Sequence, residues 1–139
     1  MTVRVVAAPW VLTGEAVLFE GAVALEGDTI RAVGPRAEVE GRFGKAERLD
    51  AIVLPALVNA HLHLELSHLA GRVGGGEGLA AWVQLFLAAR SAAGDGGRAV
   101  AMEMAAEDMV KAGVAAVGDV SNTLASLSAL AAAADVAPY

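Results

Sequence analysis

The chain contains no cysteine, which excludes disulfides and thiolate metal ligands and fits a reducing, cytoplasmic setting. Basic residues are scarce: 10 Lys and Arg stand against 16 Asp and Glu, for a net charge of −6. With a pI near 4.9, the chain lacks the basic face that nucleic-acid binding needs. No charge-free apolar run reaches the ~20 residues of a membrane span. The alanine-rich stretch Leu124–Ala134 is too short, carries Ser126 and Ser128, and reads as a soluble helix. A basic segment followed by an apolar core and a cleavage site is also missing at the N-terminus, so no signal peptide is expected. Histidine is rare as well, at three in 139 residues.

Apolar residues are plentiful. They make up 56% of the chain, and the mean hydropathy is +0.55. That is high for a small protein that must cover its own surface, and it suits an interior portion of something larger.

The first part reads as short strands. Val3–Ala7 is apolar, with Trp10–Leu12 as its continuation past Pro9. Val17–Leu25 and Thr29–Gly34 flank a Gly27-Asp28 turn, which is a hairpin signal. The polar stretch Pro35–Lys45 reads as a loop or short helical turn, and Leu49–Val53 as one more strand. Gly71–Gly78 is dense in glycine and reads as a mobile loop. It is not a phosphate cradle, because no Lys-Ser/Thr pair follows it. Leu79, Trp82, Val83, Phe86 and Leu87 recur at helical spacing and predict an amphipathic helix in which Trp82 packs. Helices are also expected over Arg98–Ala112, with Gly113 as the stop, and over Thr123–Ala134, with a buried strand Val114–Val120 between them. This alternation is that of a parallel α/β fold.

Two of the three histidines lie close together, in Leu54-Pro55-Ala56-Leu57-Val58-Asn59-Ala60-His61-Leu62-His63-Leu64-Glu65-Leu66-Ser67. On a strand, residues i and i+2 share a face, so His61 and His63 project side by side. Apolar residues surround them, as in a parallel strand covered on both faces, so Leu57–His63 is expected to be buried. Two imidazoles converging there form a ligand pair for a borderline divalent metal.

This segment resembles the first barrel strand of the amidohydrolase superfamily, with its Pro-Gly-Leu/Phe-Val-Asn/Asp-x-His-x-His pattern. The continuation through Ser67 is most similar to the chlorohydrolase, cytosine deaminase and aminodeoxyfutalosine deaminase branch. Ala56 stands where Gly is usual and Leu62 where Thr is common, and neither change removes a ligand. The resemblance implies an α/β chain: part of a small β-sandwich over 1–53, then the start of a (β/α)8 barrel over 54–139. A whole barrel needs ~250 residues, so only its first two βα units are expected, with Tyr139 near the start of a third strand.

The resemblance further implies a metal-dependent hydrolase of non-peptide carbon–nitrogen bonds, deaminating a nitrogen heterocycle. His61 and His63 would hold the metal, zinc first, with iron or manganese as alternatives. The metal lowers the pKa of water from 15.7 toward ~7 and so supplies a nucleophile. Glu65 would face the same mouth if the strand persists, either contacting a small-molecule substrate or supporting the ligands. His68 and Ser67 read as loop residues, Asn59 as a support, and Asp119 as a turn or helix-initiating residue rather than the essential acid, which the family draws from a later strand. Further ligands would also come from later strands, so this chain alone is expected to be inactive. The alternative is a free-standing, non-catalytic interaction module that pairs, or self-associates, through an exposed barrel edge.

Overall fold

The computed structural model describes residues 2–76 and 78–135. The chain divides into two compact units between Pro55 and Ala56. The first contains β1 (Val3–Leu12), β2 (Val17–Glu26), β3 (Thr29–Pro35), α1 (Arg36–Phe43), β4 (Glu47–Arg48) and β5 (Ile52–Val53). Strands β3, β2 and β1 pair antiparallel, and the other edge of β1 receives β4 and then β5 in parallel. The β2–β3 turn is Gly27-Asp28, where Gly27 takes a φ of 56° that glycine adopts without steric cost.

Alternate residues of the sheet share a face, and here that face is small and apolar. Val5, Ala7, Ala22 and Ala24 close a core with Val39 and Ala46. Val39 belongs to α1, an eight-residue helix where the sequence suggests a loop or a single turn. The helix is polar because Val39 is the one residue it buries. Glu38 in its first turn and Arg42 in its last turn complement the helix dipole.

Strand β1 runs unbroken through Pro9. Proline has no N–H to give a ladder, so it is tolerated where a partner is missing. On one side, Pro9 falls between the pairings Ala7↔Arg48 and Trp10↔Ile52. On the other it falls between Ala8↔Gly21 and Trp10↔Phe19, opposite Glu20 with its positive φ of 46°. Of the strand expected over Leu49–Val53 only Ile52–Val53 forms, separated from β4 by a bend at Asp50 and Ala51.

The second unit contains β6 (Leu57–Leu62), a 3-10 segment (Leu64–Leu69), α2 (Leu79–Ala92), α3 (Arg98–Lys111), β7 (Val114–Asp119) and α4 (Ser126–Asp135). Strands β6 and β7 are parallel and run very close together. A Cβ added to Gly118 would lie 2.5 Å from the Ala60 carbonyl oxygen. The core of this unit is Leu64, Met102, Ala106, Ala129 and Ala133, which joins the 3-10 segment to α3 and α4. Between the 3-10 segment and α2, Gly71, Gly76 and Gly78 all take positive φ, and Glu77 lies outside the described residues.

Three packing expectations fail here, the first in β7, which forms as expected but buries none of its residues. The strand Leu57–His63 is largely exposed rather than buried, with Val58 66% accessible. Among the described residues β7 is its one strand neighbour, so much of its apolar surface has no cover. Helix α2 forms at the expected period but buries none of its residues. Trp82 stacks on Phe86 one turn later, with ring centroids 5.3 Å apart, instead of entering a core. No helix among the described residues is long and apolar enough to cross a membrane.

Two outcomes follow from this arrangement. Gly118→Ala should force β6 and β7 apart at a backbone contact that cannot yield cheaply, at a cost of ~1–3 kcal/mol. Faster amide exchange at Leu57 and Val120, which bridge the pair through 2.8 Å bonds, is the expected signal, and unchanged protection would contradict it. The exposed apolar residues of β6 and α2 should also drive concentration-dependent self-association and the binding of an apolar dye. Light scattering that shows a monomer at all concentrations, without dye binding, would contradict that expectation.

Candidate metal centre

The two histidines sit where β6 ends. Extended backbone places His61 and His63 on one side, and their rings meet edge to face with centroids 5.1 Å apart. Both residues are exposed. Asn59, two residues earlier, accepts the His61 N–H at 3.4 Å and donates to Met109 Sδ at 3.7 Å, so it supports the strand end from behind.

His63 is held more firmly. Its Nδ1 lies 2.9 Å from the Val120 carbonyl oxygen. A carbonyl only accepts, so Nδ1 must carry the proton, and in the neutral ring this leaves the Nε2 lone pair available to a ligand. Imidazoles that both bind one ion at ~2.0–2.1 Å have centroids roughly 5 Å apart. The observed pair fits that requirement. Among the described residues no group of three or more His, Cys, Asp or Glu is placed to hold a metal, so the pair stands alone.

Glu65 departs from its expected position. The strand stops at Leu62 and the chain turns into the 3-10 segment, so Glu65 does not continue the face of His61 and His63. It is 8% exposed, and its carboxylate points at the loop after β7. Oε1 accepts from the Asn122 backbone at 3.2 Å and from Asn122 Nδ2 at 2.6 Å. Oε2 accepts from Ser121 Oγ at 3.3 Å, from the Thr123 backbone at 3.3 Å and from Thr123 Oγ1 at 2.9 Å. Burial pushes the Glu65 carboxyl up, but the bonds from Asn122 and Thr123 outweigh it and hold the group down to about 2 from an ordinary 4.5.

Asp119, the last residue of β7, performs a parallel task. Its Oδ1 accepts the Leu64 N–H at 2.9 Å, at the start of the 3-10 segment. Its Oδ2 accepts the hydroxyl of Ser126, the fully buried first residue of α4, at 2.5 Å. This matches its reading as a helix-initiating residue. His68 lies on the 3-10 segment with Nδ1 3.1 Å from the Glu65 carbonyl, apart from the histidine pair. Glu65, His68, Arg90, Arg98 and Thr123 line a cavity of about 300 Å³. Sequence reasoning missed the role of Ser121-Asn122-Thr123. The signal was there, in three consecutive hydrogen-bonding residues directly after a strand.

The pattern of the bacterial imidazolonepropionase-like composite domain matches residues 21–46. The chain is 43% identical over 58 residues to a 5-methylthioadenosine/S-adenosylhomocysteine deaminase of Nitratidesulfovibrio vulgaris, covering 40% of this chain and 13% of that protein. It is 45% identical over 51 residues to an imidazolonepropionase of Chloroflexus aggregans, covering 34% and 12%. Among solved structures, the Helicobacter pylori aminofutalosine deaminase in complex with methylthio-coformycin superimposes with a TM-score of 0.81 at 25% identity. That match covers 94% of this chain and 33% of the other. A zinc-bound adenosine deaminase from Xanthomonas campestris gives 0.65 at 26% identity, covering 95% and 31%. These matches support a resemblance to the N-terminal portion of amidohydrolase-superfamily proteins. The chain spans about an eighth of the length of these curated relatives and about a third of the solved ones.

The Glu65 carboxylate links acidity to stability. The unfolded chain takes up the proton first as pH falls, so the contribution of Glu65 is complete above about 4.5 and is lost as pH drops toward about 2. A displacement of that size corresponds to at most ~3 kcal/mol. Glu65→Gln should therefore flatten the acid dependence of unfolding in this window. Superimposable acid titrations of the wild-type and variant chains, followed by circular dichroism, would contradict this.

Proposed function

We propose that this chain carries the first metal-binding strand of a metal-dependent hydrolase of non-peptide carbon–nitrogen bonds, one that deaminates a nitrogen heterocycle. The observation that carries this reading is the adjacency of the His61 and His63 rings at the end of a parallel strand, in a chain whose relatives include three deaminases. In this reading, residues 1–53 are part of a small composite β-sandwich, and 54–139 supply the first two βα units of a (β/α)8 barrel. On the barrel's loop-bearing face the histidine pair would lie where such enzymes bind substrate.

His61 and His63 would hold a divalent ion, zinc first, with iron or manganese as alternatives. When bound, the metal supplies a water that is nucleophilic at neutral pH. This chain's own residues orient the site. Asn59 steadies the strand, and Val120 sets the proton position on His63. Glu65 serves the small-molecule substrate as wall and anchor of the adjoining cavity. A catalytic zinc keeps three protein ligands, and a pair falls short of that, so the chain by itself binds metal weakly and does not turn substrate over. The absence of cysteine supports a cytoplasmic location.

A second reading rests on the exposure of Leu57, Val58, Leu85 and Leu87. In it the chain is a non-catalytic module that pairs with another copy or chain through its bare strand edge.

Calorimetric titration separates the two. Weak zinc binding that His61→Ala abolishes, without detectable deamination, is the expected result. Tight stoichiometric binding that survives His61→Ala would contradict the metal reading.

A further inference from the structure

The Val120 carbonyl that meets His63 Nδ1 is followed by residues without regular structure to fix it. On its amino side Val120 is tied to the strand pair, where its N–H donates to the Leu62 carbonyl at 2.8 Å. On its carboxyl side come Ser121, Asn122 and Thr123, which form neither helix nor strand. Every one of those three residues donates to the Glu65 carboxylate, through two backbone N–H groups, two hydroxyls and one amide. Glu65 itself stands on the 3-10 segment that begins directly after His63. The path closes on itself, running from His63 along the chain to Glu65, across to residues 121–123, and back through the Val120 carbonyl to the His63 ring.

We propose that Glu65 is a positioning residue for His63: by gathering Ser121–Thr123 it fixes the Val120 carbonyl, which locks the ring with its proton on Nδ1 and its lone pair on Nε2. A carboxylate suits this task because it is acceptor-only and can meet several donors at once. Glutamine in its place presents an NH2 group to the Thr123 N–H, and a donor cannot satisfy a donor. The loop then loses an anchor while Asp119, which holds Leu64 and Ser126 independently, keeps the frame of β6, β7 and α4 in place. The consequence for metal binding rests on the reading of His61 and His63 as ligands, whereas the tautomer itself does not.

The test is nitrogen NMR of the full chain labelled with ¹⁵N-histidine, recorded above the imidazole titration. Native His63 should show a protonated Nδ1 and a bare Nε2. His61, whose ring has no carbonyl partner among the described residues, serves as the internal reference for a free ring. In Glu65→Gln the His63 signals should move toward the averaged pattern of His61, and Asn122→Ala should move them part of the way. A native His63 protonated on Nε2, or His63 signals unmoved in a folded Glu65→Gln chain, overturns the proposal. Loss of folded signals in both variants overturns it too, since Asp119 is argued to hold the frame alone. Zinc affinity is read separately and should fall ~10–100-fold in Glu65→Gln, as for other supports of metal ligands. A native chain that binds no zinc but shows the locked ring would remove the metal reading and leave the positioning role standing.

Discussion

The second unit depends on a single constraint, the need of two carboxylates, a buried Glu65 and a half-buried Asp119, for donors. Asp119 and Glu65 are offered by different strand ends, and each finds a partner on the other strand's side, while Asp119 also holds Ser126 on its own. Asp119 ends β7 and captures the start of the segment after β6. Glu65 follows β6 and captures the segment after β7. A buried carboxylate such as Glu65 costs several kcal/mol without donors, which draws the loop after β7 onto it, and Asp119 braces the other side. Leu62 pairs with Asp119 where the two strands end, and the histidine pair sits on a rim set from both sides.

Much of this was legible in the residues, for reasons of period. The i, i+2 spacing of His61 and His63 put the two rings side by side, and the extended backbone does place their centroids 5.1 Å apart. The Gly27-Asp28 hairpin was readable from turn chemistry, and α3 and β7 from their apolar patterns and the glycine between them. What escaped was any feature set by contacts distant in sequence. The inward turn of Glu65 depends on donors 56 to 58 residues away. Helix α1 escaped because one valine anchors it, and a single apolar residue makes no pattern. Trp82 illustrates the converse: period identified its helix but could not say whether anything covered it.

The high mean hydropathy has a concrete counterpart in these surfaces. Leu57 and Val58 on β6, and Leu79, Leu85 and Leu87 on α2, are all exposed. In an ordinary domain such residues face a neighbour. The solved relatives are matched over about a third of their own length. The composition and the exposed faces thus express the same property at two scales.

Pro9 has a consequence of a different kind. Because its nitrogen has no hydrogen to offer, β1 carries a silent position at the seam between β4 and β5. The bend at Asp50 and Ala51 departs from the sheet opposite this gap, so the bend can change length or sequence without stranding a donor on the central strand. The seam is therefore a natural point of tolerance: a site where an insertion, a tag or a permuted terminus can enter the first unit while the Val5–Ala7 core stays closed.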